Sequence, residues 1–189
     1  VGIIYLYQRM HFIQQVRAIL WKEVLIELRN KYVISGLLLY VASSVAVIYF
    51  SIQYSASIRS IEASVWGIFF WLVVLFSTVN AVANSFFREP EGRFFYYYWT
   101  ISPQALITAK LIYNFIFTVL LIGITFVMFS IMLGDHVKNY NLFFITITLG
   151  ATGYSFLFTT MSAIASRAGN NATLMAILGF PLVIPLIIF

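Results

Sequence analysis

The sequence predicts an all-α integral membrane protein, a polytopic bundle of apolar helices. Composition is the first reason: 62% of the residues are hydrophobic and only 9% are charged, too much apolar surface for a soluble domain of this size to cover. Charge spacing is the second, because residues 32–58, 63–87, 111–134, 139–166 and 168–189 contain no Asp, Glu, Lys or Arg. The third is the uneven distribution of Lys and Arg between the segments that join these stretches.

The amino-terminal segment, residues 1–31, comes before the first apolar stretch and differs from the rest. From Arg9 to Lys31, apolar Ile13, Val16, Leu20, Val24 and Leu28 recur at helical spacing among Gln14, Gln15, Arg17, Lys22, Glu23, Glu27 and Arg29. This pattern predicts an amphipathic helix lying in the cytoplasmic interface. It reads either as a membrane anchor or as a docking surface for a cytoplasmic partner.

Residues 32–189 form the predicted transmembrane domain. A span of about 20 residues at about 1.5 Å per residue crosses a hydrocarbon layer of about 30 Å. Each charge-free stretch therefore holds one helix, placed near 33–53, 65–87, 111–133, 142–165 and 173–189. These runs are apolar nearly all round, whereas buried helices of a soluble protein would keep polar faces.

Orientation follows from the connecting segments. With the amino terminus inside, Arg9, Arg17, Lys22, Arg29, Lys31, Arg88, Arg93, Lys110 and Arg167 are cytoplasmic, and Arg59 and Lys138 lie outside. The expected topology is multi-pass with a cytoplasmic amino terminus. The basic residues sit at the ends of apolar runs and form no continuous basic surface, which argues against nucleic-acid binding.

Between the second and third predicted spans, Arg88-Glu89-Pro90-Glu91-Gly92-Arg93 leads into Phe94-Phe95-Tyr96-Tyr97-Tyr98-Trp99 and on to Ser102-Pro103. The charges cannot enter hydrocarbon and the six aromatics are too apolar for water, so the segment is expected along the membrane surface. It reads as a platform that transmits force or as an ordinary loop with interfacial aromatics. Within the spans, Ser77, Asn80, Ala81, Asn84 and Ser85 share one side of the second helix, as Asn114 and Thr118 do on the third. Such residues turn toward other helices, as packing contacts or as a substrate path. No ionisable side chain lies within the placed spans, which separates the chain from ion-coupled pumps.

Chemistry-bearing motifs are few. The sequence has no phosphate loop, no H-E-x-x-H, and no cysteine for a disulfide or thiolate site. It predicts a non-catalytic subunit whose energy comes from another protein. His11 belongs to the amphipathic helix, and His136 lies in the outer loop Gly134-Asp135-His136-Val137-Lys138, as a solvated histidine or an axial haem ligand.

The order of these features resembles the CcmB family, permease subunits of the cytochrome c maturation ABC transporter, also called haem exporter protein B. The resemblance rests on the amphipathic helix, the acidic glycine-containing loop ending in Ser102-Pro103-Gln104-Ala105-Leu106-Ile107-Thr108-Ala109-Lys110, and Arg167-Ala168-Gly169. The most specific part is Phe180-Pro181-Leu182-Val183-Ile184-Pro185-Leu186-Ile187-Ile188-Phe189, with Pro181 and Pro185 as helix-packing positions beside Asn80, Asn84 and Asn114. Six aromatics stand where the family's loop has leucines, and only Pro103 represents its prolines.

The resemblance implies an ABC-2-like permease in a bacterial inner membrane, with a sixth span beyond the five, so that the chain is expected to be a carboxy-terminally incomplete copy. It implies a CcmA-like ATPase partner, with CcmC-, CcmD- and CcmE-like maturation proteins, in a homodimer or hetero-oligomer surrounded by lipid. No cofactor is expected to be bound directly; haem is handled by the complex, and ATP by the partner. Glu89, Glu91, Gly92, Arg93 and Pro103, with Glu23, Glu27 and Arg29, are the expected ATPase-coupling residues. An ABC-2 exporter of lipid, polysaccharide or drug, and a passive scaffold for the maturation complex, are the alternatives.

Overall fold

The computed structural model describes residues 2–54, 62–87 and 102–167, and the side chains of 12–54, 62–82 and 102–165. Among these residues the chain forms five helices and no strands: α1 (Gly2–Arg29), α2 (Lys31–Tyr54), α3 (Ala63–Phe87), α4 (Pro103–Leu133) and α5 (Tyr140–Arg167). Four of them, α2 to α5, are long and apolar enough to cross a membrane. The predicted fifth span, 173–189, and its Pro181 and Pro185 lie outside the described residues.

The helix ends follow local chemistry. Ser102 caps α4, its Oγ accepting from the Ala105 N–H, and Pro103 occupies the first turn, where its missing N–H removes no helical bond. At the other end, Gly134 takes φ 81°, a conformation that side chains resist, and stops the helix. Asn139 then caps α5, its Oδ1 accepting from the N–H groups of Asn141 and Leu142. Between α1 and α2 a single residue, Asn30, interrupts the helical run. Its N–H still reaches the Ile26 carbonyl, and its own carbonyl accepts from Val33.

α4 starts eight residues before the predicted third span. A span bounded at its charges sets Lys110 at the membrane surface. The structure instead places it inside the helix and fully buried. At 31 residues, α4 is about 46 Å long.

The core lies between α3, α4 and α5, with α2 adding Val41 and Val45. Toward the Gly134 turn it is aromatic. Trp66 stacks on Phe70 at 5.2 Å and meets the Phe129 ring edge-on at 5.4 Å, while Phe126 and Phe143 lie 5.0 Å apart. α3 and α5 approach closely at Gly150, where an added Cβ would lie 2.5 Å from Trp71. Beside this core, Leu37 of α2, Ala81 of α3 and Leu121 of α4 form a second apolar cluster.

Candidate functional site

One face of α4 carries a run of buried polar side chains. Lys110, Asn114, Thr118 and Thr125 follow one another at intervals of four or seven residues, and all are buried. Lys110 and Asn114 find partners on other helices, Thr125 donates to the Leu121 carbonyl of its own helix, and the buried Thr118 hydroxyl makes no hydrogen bond among the described residues.

Lys110 finds its partner on α1. Its Nζ lies 3.5 Å from Glu23 Oε1, and the carboxylate is also 3.3 Å from Lys22 Nζ. Both Lys110 and Glu23 are buried, at 0% and 7% exposure. Eight residues earlier on each helix, Gln15 Oε1 accepts from Ser102, from the backbone N–H at 3.2 Å and from Oγ at 3.0 Å. The two contacts have the same sequence separation, so α1 and the first turns of α4 run in the same direction.

This arrangement departs from the expected amphipathic helix. The face of α1 turned to α4 is mixed, with Gln15, Ile19 and Glu23; of the predicted apolar stripe, Val16 and Leu20 are half-buried while Ile13, Val24 and Leu28 are exposed. Ser102 and Lys110 draw Gln15 and Glu23 into this packed face. The exposed part of the stripe is left outward, where lipid can cover it.

One turn beyond Lys110, Asn114 Nδ2 donates to Thr159 Oγ1 of α5 at 2.9 Å. Ser155 Oγ of α5 donates to the Leu111 carbonyl of α4 at 3.2 Å, and Ser162 Oγ reaches the Val82 carbonyl of α3 at 3.5 Å. Ser77 and Thr78 donate to carbonyls one turn earlier in α3. Of the polar side predicted on that helix, Ser77 and Ala81 are buried and Asn80 is exposed among the described residues. The inward face is centred on Ser77, Thr78 and Ala81, and Asn80 falls at its margin. The side chain of Asn84 lies outside the described residues.

The remaining expected site residues divide as follows. Pro103 is exposed at the start of α4, Glu27 is half-buried and Arg29 is exposed at the end of α1. Glu89, Glu91, Gly92 and Arg93 lie outside the described residues. The structure therefore brings Glu23 to Lys110, a pairing that the sequence reading missed because the two residues are far apart along the chain.

At the opposite end, His136 Nδ1 lies 3.2 Å from the Gly134 carbonyl, and its ring is 6.2 Å from that of Trp66. Asp135 accepts from the Tyr140 hydroxyl and from the Val137 N–H. The Tyr140 hydrogen bond first, and the Val137 N–H next, lower the pKa of its carboxyl below the ordinary 3.8. No group of three or more His, Cys, Asp or Glu side chains that could hold a metal ion occurs among the described residues.

Comparison with known proteins gives one match. The family model described as CcmB protein matches residues 14–189, nearly the whole chain. No curated protein and no solved structure matches the chain.

Proposed function

The chain belongs to the CcmB family, and on that premise we propose that it is the membrane permease subunit of an ABC transporter for cytochrome c maturation, driven by a separate ATPase. The family membership carries this reading, and four helices of spanning length and composition support it. Haem is the cargo of the complex in this reading, and work done by the chain serves its delivery or the release of a haem-loaded chaperone. ATP binds the CcmA-like partner, not this chain. CcmC-, CcmD- and CcmE-like proteins complete the assembly in a bacterial inner membrane, with the amino terminus of this chain cytoplasmic and an ABC-2-like bundle around it.

The proposed contact with the ATPase comprises Glu27 and Arg29 at the end of α1, Glu89, Glu91, Gly92 and Arg93 in the sequence between α3 and α4, and Pro103. Glu23 contributes from within, since its carboxylate is turned to Lys110. The polar contacts of Asn114, Ser155 and Ser162 supply a rigid path from α4 to α5 and α3.

Complementation tests the proposal. Expressed in a bacterium lacking its own permease subunit, the gene is expected to restore covalent haem in c-type cytochromes, read on haem-stained gels. Reversing both Glu89 and Glu91 to Lys is expected to prevent the ATPase from co-purifying and to abolish that recovery. Cytochromes that stay absent although the chain inserts and co-purifies with the ATPase would overturn the assignment. They would favour an exporter of another cargo.

A further inference from the structure

A lysine at the end of a spanning helix ordinarily extends its amine toward water. Lys110 does not. It is fully buried and its amine is turned to Glu23 on a different helix. A buried ion pair adds little net stability over apolar packing, but separating it takes a buried amine from its carboxylate in a low-dielectric interior and leaves Glu23 with Lys22 alone. Two apolar helix faces can slip past one another at small cost. A pair of this kind cannot, and it therefore fixes register.

A second contact in the same register reinforces the first. Gln15 holds both the N–H and the hydroxyl of Ser102, the residue that caps α4. Two points of attachment, two turns apart, prevent α1 from pivoting on α4. Beyond Lys110 on the same face, Asn114 carries the connection to α5.

We infer that Glu23 and Lys110 are positioning residues, a joint that makes α1 and the first turns of α4 move as one body. A displacement imposed on α1 thereby reaches α5 through Asn114 and α3 through Ser162. The inference rests on the permease reading for its purpose, since a driven subunit needs such a transmission element, but the joint itself is a property of this chain alone. Both residues act through the helices they hold.

The absence of cysteine makes a direct test available. Spin labels on A18C and Q104C, both at exposed positions, report the distance between α1 and α4 in the full chain reconstituted in lipid nanodiscs. The unaltered pair is expected to give one narrow distance distribution. E23Q and K110M are expected to broaden it, and the exchanged pair E23K/K110E to narrow it again. A distribution that stays narrow in both single variants overturns the joint, whether or not the chain matures cytochromes, so this failure is distinct from failure of the permease reading. In the complementation strain, E23Q is expected to lower cytochrome yield about tenfold, within the usual range of coupling energies, while the ATPase still co-purifies. Full yield from E23Q despite a broadened distance overturns the role of the joint in transmission. E23Q is nearly isosteric, so a folded E23Q chain whose distribution stays narrow overturns the joint even where K110M fails to fold.

Discussion

Asn114 on α4 donates a 2.9 Å hydrogen bond to Thr159 on α5, and both side chains are buried. Between spanning helices such bonds contribute about 0.6 kcal/mol on average and up to about 1.7. A double-mutant cycle of Asn114→Leu and Thr159→Val, read by denaturant unfolding in mixed micelles, is expected to give a coupling energy in that range. A coupling energy of zero would mean that the pair does not hold α4 to α5.

Gly150 leaves no room for a side chain. Gly150→Ala would set a Cβ 2.5 Å from Trp71, and overpacking of this kind costs about 1–3 kcal/mol. The variant is expected to unfold at lower temperature, and Trp71→Leu in the same chain to recover part of the loss. Thermal unfolding of the three variants in detergent checks both statements.

Lys110→Met leaves Glu23 in a buried site with its α4 partner removed. Loss of one member of a buried pair costs up to about 3–5 kcal/mol, less here because Lys22 remains 3.3 Å from Glu23, and replacement of both by apolar residues costs less still. The double variant Glu23→Leu/Lys110→Met is therefore expected to be more stable than Lys110→Met alone. Denaturant midpoints rank them directly.

The Gly134 to Tyr140 turn is expected to respond to acid. The carboxyl of Asp135 has its pKa lowered below 3.8 by the Tyr140 hydroxyl and the Val137 N–H. A depressed carboxyl pKa stabilises the folded turn above the unfolded value, and that contribution is lost as pH falls through the lower, folded value. Order in the turn should hold down to about pH 4 and weaken below it. In Tyr140→Phe the Asp135 titration, followed by carboxyl carbon NMR, is expected to move up toward 3.8.

Ser102 has two tasks, capping α4 and holding Gln15. Ser102→Ala is expected to cost about 1 kcal/mol for the lost cap. Gln15→Ala spares the cap, so comparing the two variants by thermal unfolding separates the tasks.

The bundle was largely legible because hydrocarbon imposes a simple rule on sequence. Charge-free stretches gave α2, α3 and α5 to within two residues at either end, 33–53 against Lys31–Tyr54, 65–87 against Ala63–Phe87 and 142–165 against Tyr140–Arg167. The same rule failed at α4, because it assumes that every charge faces water. Lys110 faces Glu23 instead, and nothing local records a partner so far away in the chain. The Ser102-Pro103 start of α4 was a readable signal, since serine caps and proline opens a helix, but the charge boundary overrode it. On α1 the apolar stripe was plain, yet periodicity cannot tell which face meets protein and which meets lipid, and the packed face proved to be mixed, Gln15 and Glu23 beside Ile19.

The joint between α1 and α4 has a consequence for the order in which the protein is made. Glu23 leaves the ribosome long before Lys110, and two spanning helices, α2 and α3, are synthesised between them. During that interval the carboxylate of Glu23 is without the amine that will bury it, so α1 must wait where water can still solvate it. Attachment of α1 is thus a late event of biogenesis, set by the emergence of α4. A nascent chain arrested before Lys110 would present α1 undocked, its stripe of Ile13, Val16, Leu20, Val24 and Leu28 open to whatever factor guards unfinished membrane proteins.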